Sequence, residues 1–233
     1  MGKSRITLIA GSAVLGISQH VHASGGHFLV DDAAIYPVGV NAVEAWYEDF
    51  GDSANAFTAQ PAHTFDVGGG LEITGVYQRF SPNGSGENAF GVEAKHLWRD
   101  FEGGDDFGLG WVAGTGLDDD AEVEEIFAYI PYSQPIGDGG ALLHANVGWE
   151  QDRSGDDDED NFFYGVAGEI PVAGPMSTIV EVLGNSDDDT FGQVGTRFEL
   201  GDHPGLLDVS YARNLDDSDE DWFTVGFAWE FGG

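Results

Sequence analysis

Seven side chains stand out as able to do chemistry: Glu72, Glu93, Lys95, His144, Asn146, Glu181 and Arg197. Each is ionisable or strongly hydrogen-bonding and sits inside an otherwise apolar or glycine-rich segment, where a dry core would not tolerate it unpaired. Two uses fit such a set. In a water-filled passage these groups would meet a passing solute, and bonded to one another they would brace a wall. Acid–base catalysis fits less well. Ser–His hydrolysis on one strand face asks for a serine two residues from His144, where Asn146 stands, and no G-x-S-x-G nucleophile elbow is present. The chain is therefore expected not to be an enzyme.

Metal chemistry has its own candidates. The runs Asp118 to Asp120, Asp156 to Asp160 and Asp216 to Asp221 could collect calcium, a hard cation that prefers oxygen. None follows the EF-hand pattern: counting from Asp156, the sixth position is Asn161 instead of glycine and the twelfth is Ala167 instead of glutamate. The histidines show no zinc spacing and there is no cysteine. Solvated acidic loops are the expectation, with no metal site and no cofactor.

The elements that must position these residues have a period of two. Phe223, Val225, Phe227, Trp229 and Phe231 alternate with Thr224, Gly226, Ala228 and Glu230. Phe90, Val92, Ala94, His96 and Trp98 likewise oppose Gly91, Glu93, Lys95, Leu97 and Arg99, and Leu143, Ala145, Val147 and Trp149 oppose His144, Asn146, Gly148 and Glu150. Twelve strands are predicted, at 40–48, 55–66, 70–80, 88–99, 106–116, 121–132, 139–150, 161–171, 175–185, 190–200, 205–214 and 221–231. Pro61 cannot donate to a ladder, so a bulge or irregularity is expected in the second. The connections alternate in kind. One set is rich in Gly and Pro (Val67 to Gly69, Glu102 to Gly104, Pro135 to Gly140, Pro171 to Pro175, Asp202 to Gly205); the other is polar and mostly acidic (Asp49 to Ser53, Ser81 to Glu87, Asp118 to Glu122, Asp152 to Asp160, Asp187 to Asp189, Asp216 to Asp221). An up-and-down chain crossing a membrane makes connections of two kinds in turn.

Composition narrows the class. The 233 residues carry 42 acidic and 8 basic side chains, a formal net charge of −34, which excludes nucleic acid as a partner because phosphate binding needs clustered Lys and Arg. With 12% aromatic residues the chain is not an acidic disordered polymer. Residues 1–23 read as a signal peptide: Lys3 and Arg5, then the apolar Ile6 to Ile17, then Val21-His22-Ala23. Beyond residue 23 the charge is 6 − 42 = −36, with Lys95 the only lysine. Such acid excess is typical of salt-loving organisms, since molar salt screens self-repulsion within about 3 Å; carboxylates that gather cations at a pore mouth are the functional alternative.

Whether the apolar face looks inward or outward decides between a soluble lipocalin-like barrel and an outer-membrane barrel. Export, the aromatic residues near strand ends (Trp46, Trp98, Trp149, Trp222, Trp229) and mid-strand charges on the other face favour the membrane. The fold class expected is an all-β, antiparallel up-and-down transmembrane β-barrel of about 12 strands, of outer-membrane type. Residues 24–39 would form a periplasmic tail or a plug held by His27, Asp31 and Asp32, and 40–233 the barrel domain. Parity places Glu44, Glu72, Glu93, Glu181, Asp208 and Glu230 on the inner face against Lys95 and Arg197, so any conductance should favour cations.

Short motifs in order along the chain carry a resemblance. His27-Phe28-Leu29-Val30-Asp31-Asp32-Ala33, followed by Gly39 and Glu44, resembles the opening "H-P-L-x-T-D-D-A … G … E" of the MetA-pathway of phenol degradation family. Gly91 to Lys95, Leu143 to Gly148 and Ile179 to Gly184 are similar to its later "l-g-a-K", "l-h-x-N-l-G" and "l-v-a-E-l-x-G" stretches. Phe28 replaces proline, and Val30-Asp31 replaces the Thr-Asp step. The resemblance implies an outer-membrane, transporter-like barrel and, through the family name, hydrophobic or aromatic solutes. The expected partners are outer-membrane lipid, lipopolysaccharide and small solutes. The expected function is passive passage of small solutes, with a closed structural or surface-interaction barrel and a soluble periplasmic binding barrel as the alternatives.

Overall fold

The computed structural model describes residues 27–51, 54–82, 86–155, 158–186, 189–201, 205–217 and 220–232. The leader at 1–23 lies outside the described residues. Twelve strands follow in chain order: β1 Asn41–Asp49, β2 Ala54–Phe65, β3 Leu71–Pro82, β4 Glu87–Arg99, β5 Gly108–Leu117, β6 Val123–Ile136, β7 Ala141–Asp152, β8 Glu159–Ala173, β9 Met176–Asn185, β10 Thr190–Glu199, β11 Gly205–Asn214 and β12 Asp221–Phe231. Each pairs antiparallel with its sequence neighbours, and β1 closes on β12 from Asn41↔Phe231 to Asp49↔Phe223. Closure removes every unpaired sheet edge, which a strand-built membrane protein requires because lipid cannot satisfy open backbone groups.

The alternation resolves as apolar outside. On β12, Phe223, Val225, Phe227 and Phe231 are exposed while Thr224, Gly226 and Ala228 are buried; on β4, Phe90, Val92 and Trp98 are exposed while Glu93 and Lys95 are buried. One of the glycine-containing connections is as short as two residues. Gly174-Pro175 alone joins β8 to β9, with Gly174 at φ +55°, a left-handed conformation that costs a glycine least.

The irregularity expected at Pro61 is an interruption of the ladder with β3 at Gln60–Pro61, without a bulge, since pairing passes from Ala59↔Tyr77 to Ala62↔Thr74 with no shift. The register shifts lie instead at Leu97/Arg99, Gly116/Leu117 and Pro171/Ala173. Trp46 and Trp222 do not join an outer aromatic girdle, because they share parity with Glu44 and Thr224 and so face inward, Trp46 at 3% exposure. The inner face also carries large apolar and aromatic side chains. Val112, Phe127, Tyr129, Phe163 and Leu183 form a buried apolar cluster there.

Candidate functional site: the barrel interior and residues 27–38

The inner apolar cluster is completed by Leu29 and Val30 of the N-terminal segment. Residues 27–36 run through the lumen as irregular backbone, with His27 to Asp31, Ala33, Ala34 and Tyr36 buried, and Pro37 to Gly39 return to the surface before β1. A segment without a ladder of its own must find partners for its main-chain groups elsewhere. Inner-wall side chains supply them.

Glu181 on β9 accepts the Leu29 N–H at one carboxylate oxygen and the Val30 N–H at the other, both at 2.8 Å. Asn146 on β7 accepts the Asp31 N–H at 2.7 Å and donates to the Asp31 carbonyl at 2.8 Å. Ser133 on β6 accepts the Ala33 N–H at 2.7 Å, Glu72 on β3 accepts the Tyr36 N–H at 2.9 Å, and Gln193 on β10 donates to the His27 carbonyl at 3.3 Å. These bonds come from β3, β6, β7, β9 and β10, so the segment is tied to walls on several sides of the barrel.

Side chains add charge pairing and shape. Lys95 donates to both carboxylate oxygens of Asp31, at 2.8 and 3.0 Å, and lies 3.6 Å from Asp32; Tyr129 donates to Asp31 at 3.0 Å. Both members of the Lys95–Asp31 pair are 1% exposed at the side chain, where a lone charge would be costly. His27 lies 2.7 Å from the Ser210 hydroxyl rather than against a basic residue. Arg197 bonds Asp208, lies 3.6 Å from Glu169 and sits 5.1 Å above the Phe28 ring, a cation–π distance. The Tyr36 hydroxyl donates to Glu44 at 2.7 Å; burial first, and then that carboxylate, push its pKa well above the ordinary tyrosine value.

Wall glycines make room. A Cβ on Gly165 would stand 2.7 Å from Val30, one on Gly195 2.6 Å from the Phe28 ring, and one on Gly226 2.6 Å from the His27 ring. Where the segment passes, the inner face thus offers hydrogen-bonding side chains, the apolar cluster around Leu29 and Val30, or glycines that leave room.

All seven residues singled out in the sequence lie on inner faces, and the structure gives them different surroundings. Lys95, Asn146, Glu181 and Glu72 touch the segment directly, and Arg197 does so through Phe28. His144 bonds Ser133 at 2.8 Å, a serine delivered from the neighbouring strand by the register Ser133↔His144 rather than from two residues along the same strand. With the Ala33 N–H also on its oxygen, that hydroxyl is engaged on both sides as an anchor. Glu93 is buried with neither carboxylate oxygen hydrogen-bonded. Sequence reasoning missed Tyr129, Ser133, Gln193 and Ser210. Parity with Glu125 and with Asp208 would have placed Ser133 and Ser210 inward, but Pro131 and Pro135 blur the alternation of β6. Among the described residues no cluster of His, Asp or Glu is arranged to hold a metal ion.

The sequence matches a family model over residues 12–231, nearly its whole length. The chain belongs to the family of uncharacterised conserved protein UCP029691. Its likeness to the phenol-degradation family rests on the short motifs alone. No curated protein matches it in sequence. Solved structures share its fold. A KdgM porin in complex with disordered oligogalacturonate superposes with a TM-score of 0.62 at 9% identity, covering 82% of this chain and 99% of the porin. The COG4313 outer membrane channel from Pseudomonas putida F1 gives 0.62 at 12% identity, covering 86% and 98%, and the NanC porin 0.58 at 10%, covering 81% and 98%. At such identities the similarity establishes the barrel architecture, shared by this member of UCP029691 with porins and channels.

Proposed function

We propose that this protein is a passive outer-membrane channel for small solutes, exported by residues 1–23, in which residues 24–39 act as a plug that must withdraw before solute passes. The observation that carries the reading is the inversion of the barrel: an apolar belt outside, where it would contact lipid and lipopolysaccharide, and charged side chains inside. A soluble barrel would have the opposite arrangement. Inner acids at Glu44, Glu72, Glu93, Glu181, Asp208 and Glu230 outnumber Lys95 and Arg197, which favours cations once the lumen is wet. The aromatic inner wall at Phe127, Tyr129 and Phe163 is compatible with the hydrophobic or aromatic solutes that the phenol-degradation motifs suggest. Lumen filling by 27–36 equally favours a second reading, a permanently closed structural barrel.

Fractionation followed by planar-bilayer recording separates these. The channel reading expects outer-membrane recovery, heat-modifiable migration on gels, rare openings of the full-length protein and sustained cation-selective conductance once 24–38 is removed. Recovery in the soluble periplasm would refute the location, and a silent barrel after removal would leave the structural role.

A further inference from the structure

The contacts between wall and segment divide unevenly. The wall's polar side chains address mainly the main chain of residues 27–36, which any peptide possesses. The segment's own side chains are met at separate places: His27 at Ser210, Phe28 at Arg197, Leu29 and Val30 in the inner apolar cluster, Asp31 at Lys95 and Tyr129, and Tyr36 at Glu44. Glu181 clasps two successive N–H groups, and Asn146 takes both the donor and the acceptor of one residue, the pattern by which a carboxylate and an amide recognise a peptide backbone without regard to side chain.

We propose that the lumen is a peptide-binding site, occupied in this structure by the chain's own residues 27–36, and that it accepts an exogenous oligopeptide bearing two consecutive apolar residues followed by a carboxylate. The apolar pair would lie between Phe163 and Leu183 of the cluster, the carboxylate would reach Lys95, and Glu181, Asn146 and Ser133 would hold the backbone. This rests on the reading that the segment can leave the lumen. It adds a ligand class to that reading.

The test keeps the folded full-length chain. A protease recognition sequence replacing the exposed Pro37 to Gly39 allows the segment to be cut after the barrel has formed, with heat-modifiable migration verifying the barrel afterwards. A fluorescent synthetic peptide of residues 24–36 is then exchanged in, and competitors are ranked by anisotropy. A peptide of unrelated sequence that keeps the Leu-Val-Asp step should still compete, more weakly than the parent because it lacks the His27, Phe28 and Tyr36 contacts. Peptides N-methylated at the Leu29 or Asp31 amide, which lose the donor to Glu181 or Asn146, should bind at least about tenfold more weakly, the loss expected for one hydrogen bond to a charged or buried partner. Equal binding of the N-methylated peptides, failure of the unrelated Leu-Val-Asp peptide, or failure of every peptide to rebind would each overturn the proposal. Conductance of the cut barrel is recorded in parallel. A conducting barrel that no peptide blocks refutes the peptide site alone, whereas a silent barrel that binds peptide refutes the channel alone.

Discussion

Replacing Lys95 by methionine should unseat the N-terminal segment. The pair it makes with Asp31 is 2.8 Å long and 1% exposed on both sides, so Lys95→Met leaves a buried carboxylate that has lost its ammonium partner while keeping the Tyr129 hydroxyl at 3.0 Å. Removing one partner of a buried pair costs about 3–5 kcal/mol, against a net value of the intact pair that is far smaller. The penalty falls on the seated state, because in the withdrawn state water hydrates Asp31. At about 1.4 kcal/mol per decade, the withdrawn population should rise by roughly 10²- to 10³·⁵-fold. Glu72 and Glu93 lose the same neighbouring cation in both states, so their contribution largely cancels. Open probability in planar bilayers reads the shift, and protease cleavage of the segment reads it independently. The double variant Lys95→Met/Asp31→Asn removes both charges of the pair, leaves only the longer 3.6 Å contact with Asp32 lost, and should return most of the way to the parent, within about tenfold. An unchanged open probability in the single variant, or a double variant no better than the single, would refute the reasoning.

Four further outcomes are expected. Gly226→Ala places a methyl 2.6 Å from the His27 ring while its nearest wall atom is 3.6 Å away, so it should weaken seating by about 1–3 kcal/mol and raise open probability with barrel melting unchanged. Tyr36 has a raised pKa when seated, so its contribution is complete below its ordinary value near 10.0 and is lost as pH rises beyond it; release of the segment should increase above pH 10, and Tyr36→Phe should reduce that alkaline step in a protease-accessibility titration. Glu93→Gln replaces a buried carboxyl group that has no hydrogen-bond partner, and thermal denaturation should show a barrel as stable as the parent or more so; a large loss would mean that the carboxyl group is paired. Melting temperature should rise between low and molar salt as carboxylate repulsion is screened, and a salt-independent value would require a local cause for the acid excess.

Much of this architecture was determined locally, by the order of residue types along each strand. Alternation with period two specifies strands, the two kinds of connection specify an up-and-down path, and parity puts Glu93 with Lys95, and His144 with Asn146, on one face, because successive strand side chains point to opposite sides. Parity does not say which face turns inward; ring closure of β1 on β12 decides that, and it also sends Trp46 and Trp222 into the lumen. Residues 27–36 have no period to read, so nothing local reveals that they lie inside the barrel, where Asp31 meets a lysine 64 residues away and Leu29 a glutamate 152 residues away. The same holds for Ser133 and His144, which are 11 positions apart and become neighbours only through the β6–β7 register. Side-chain direction follows from the local backbone, whereas the partner of a buried charge depends on where the whole closed wall places it. The sequence by itself determined the strands and the face each polar group occupies, and the tertiary structure decided that those groups hold the chain's own N-terminal segment.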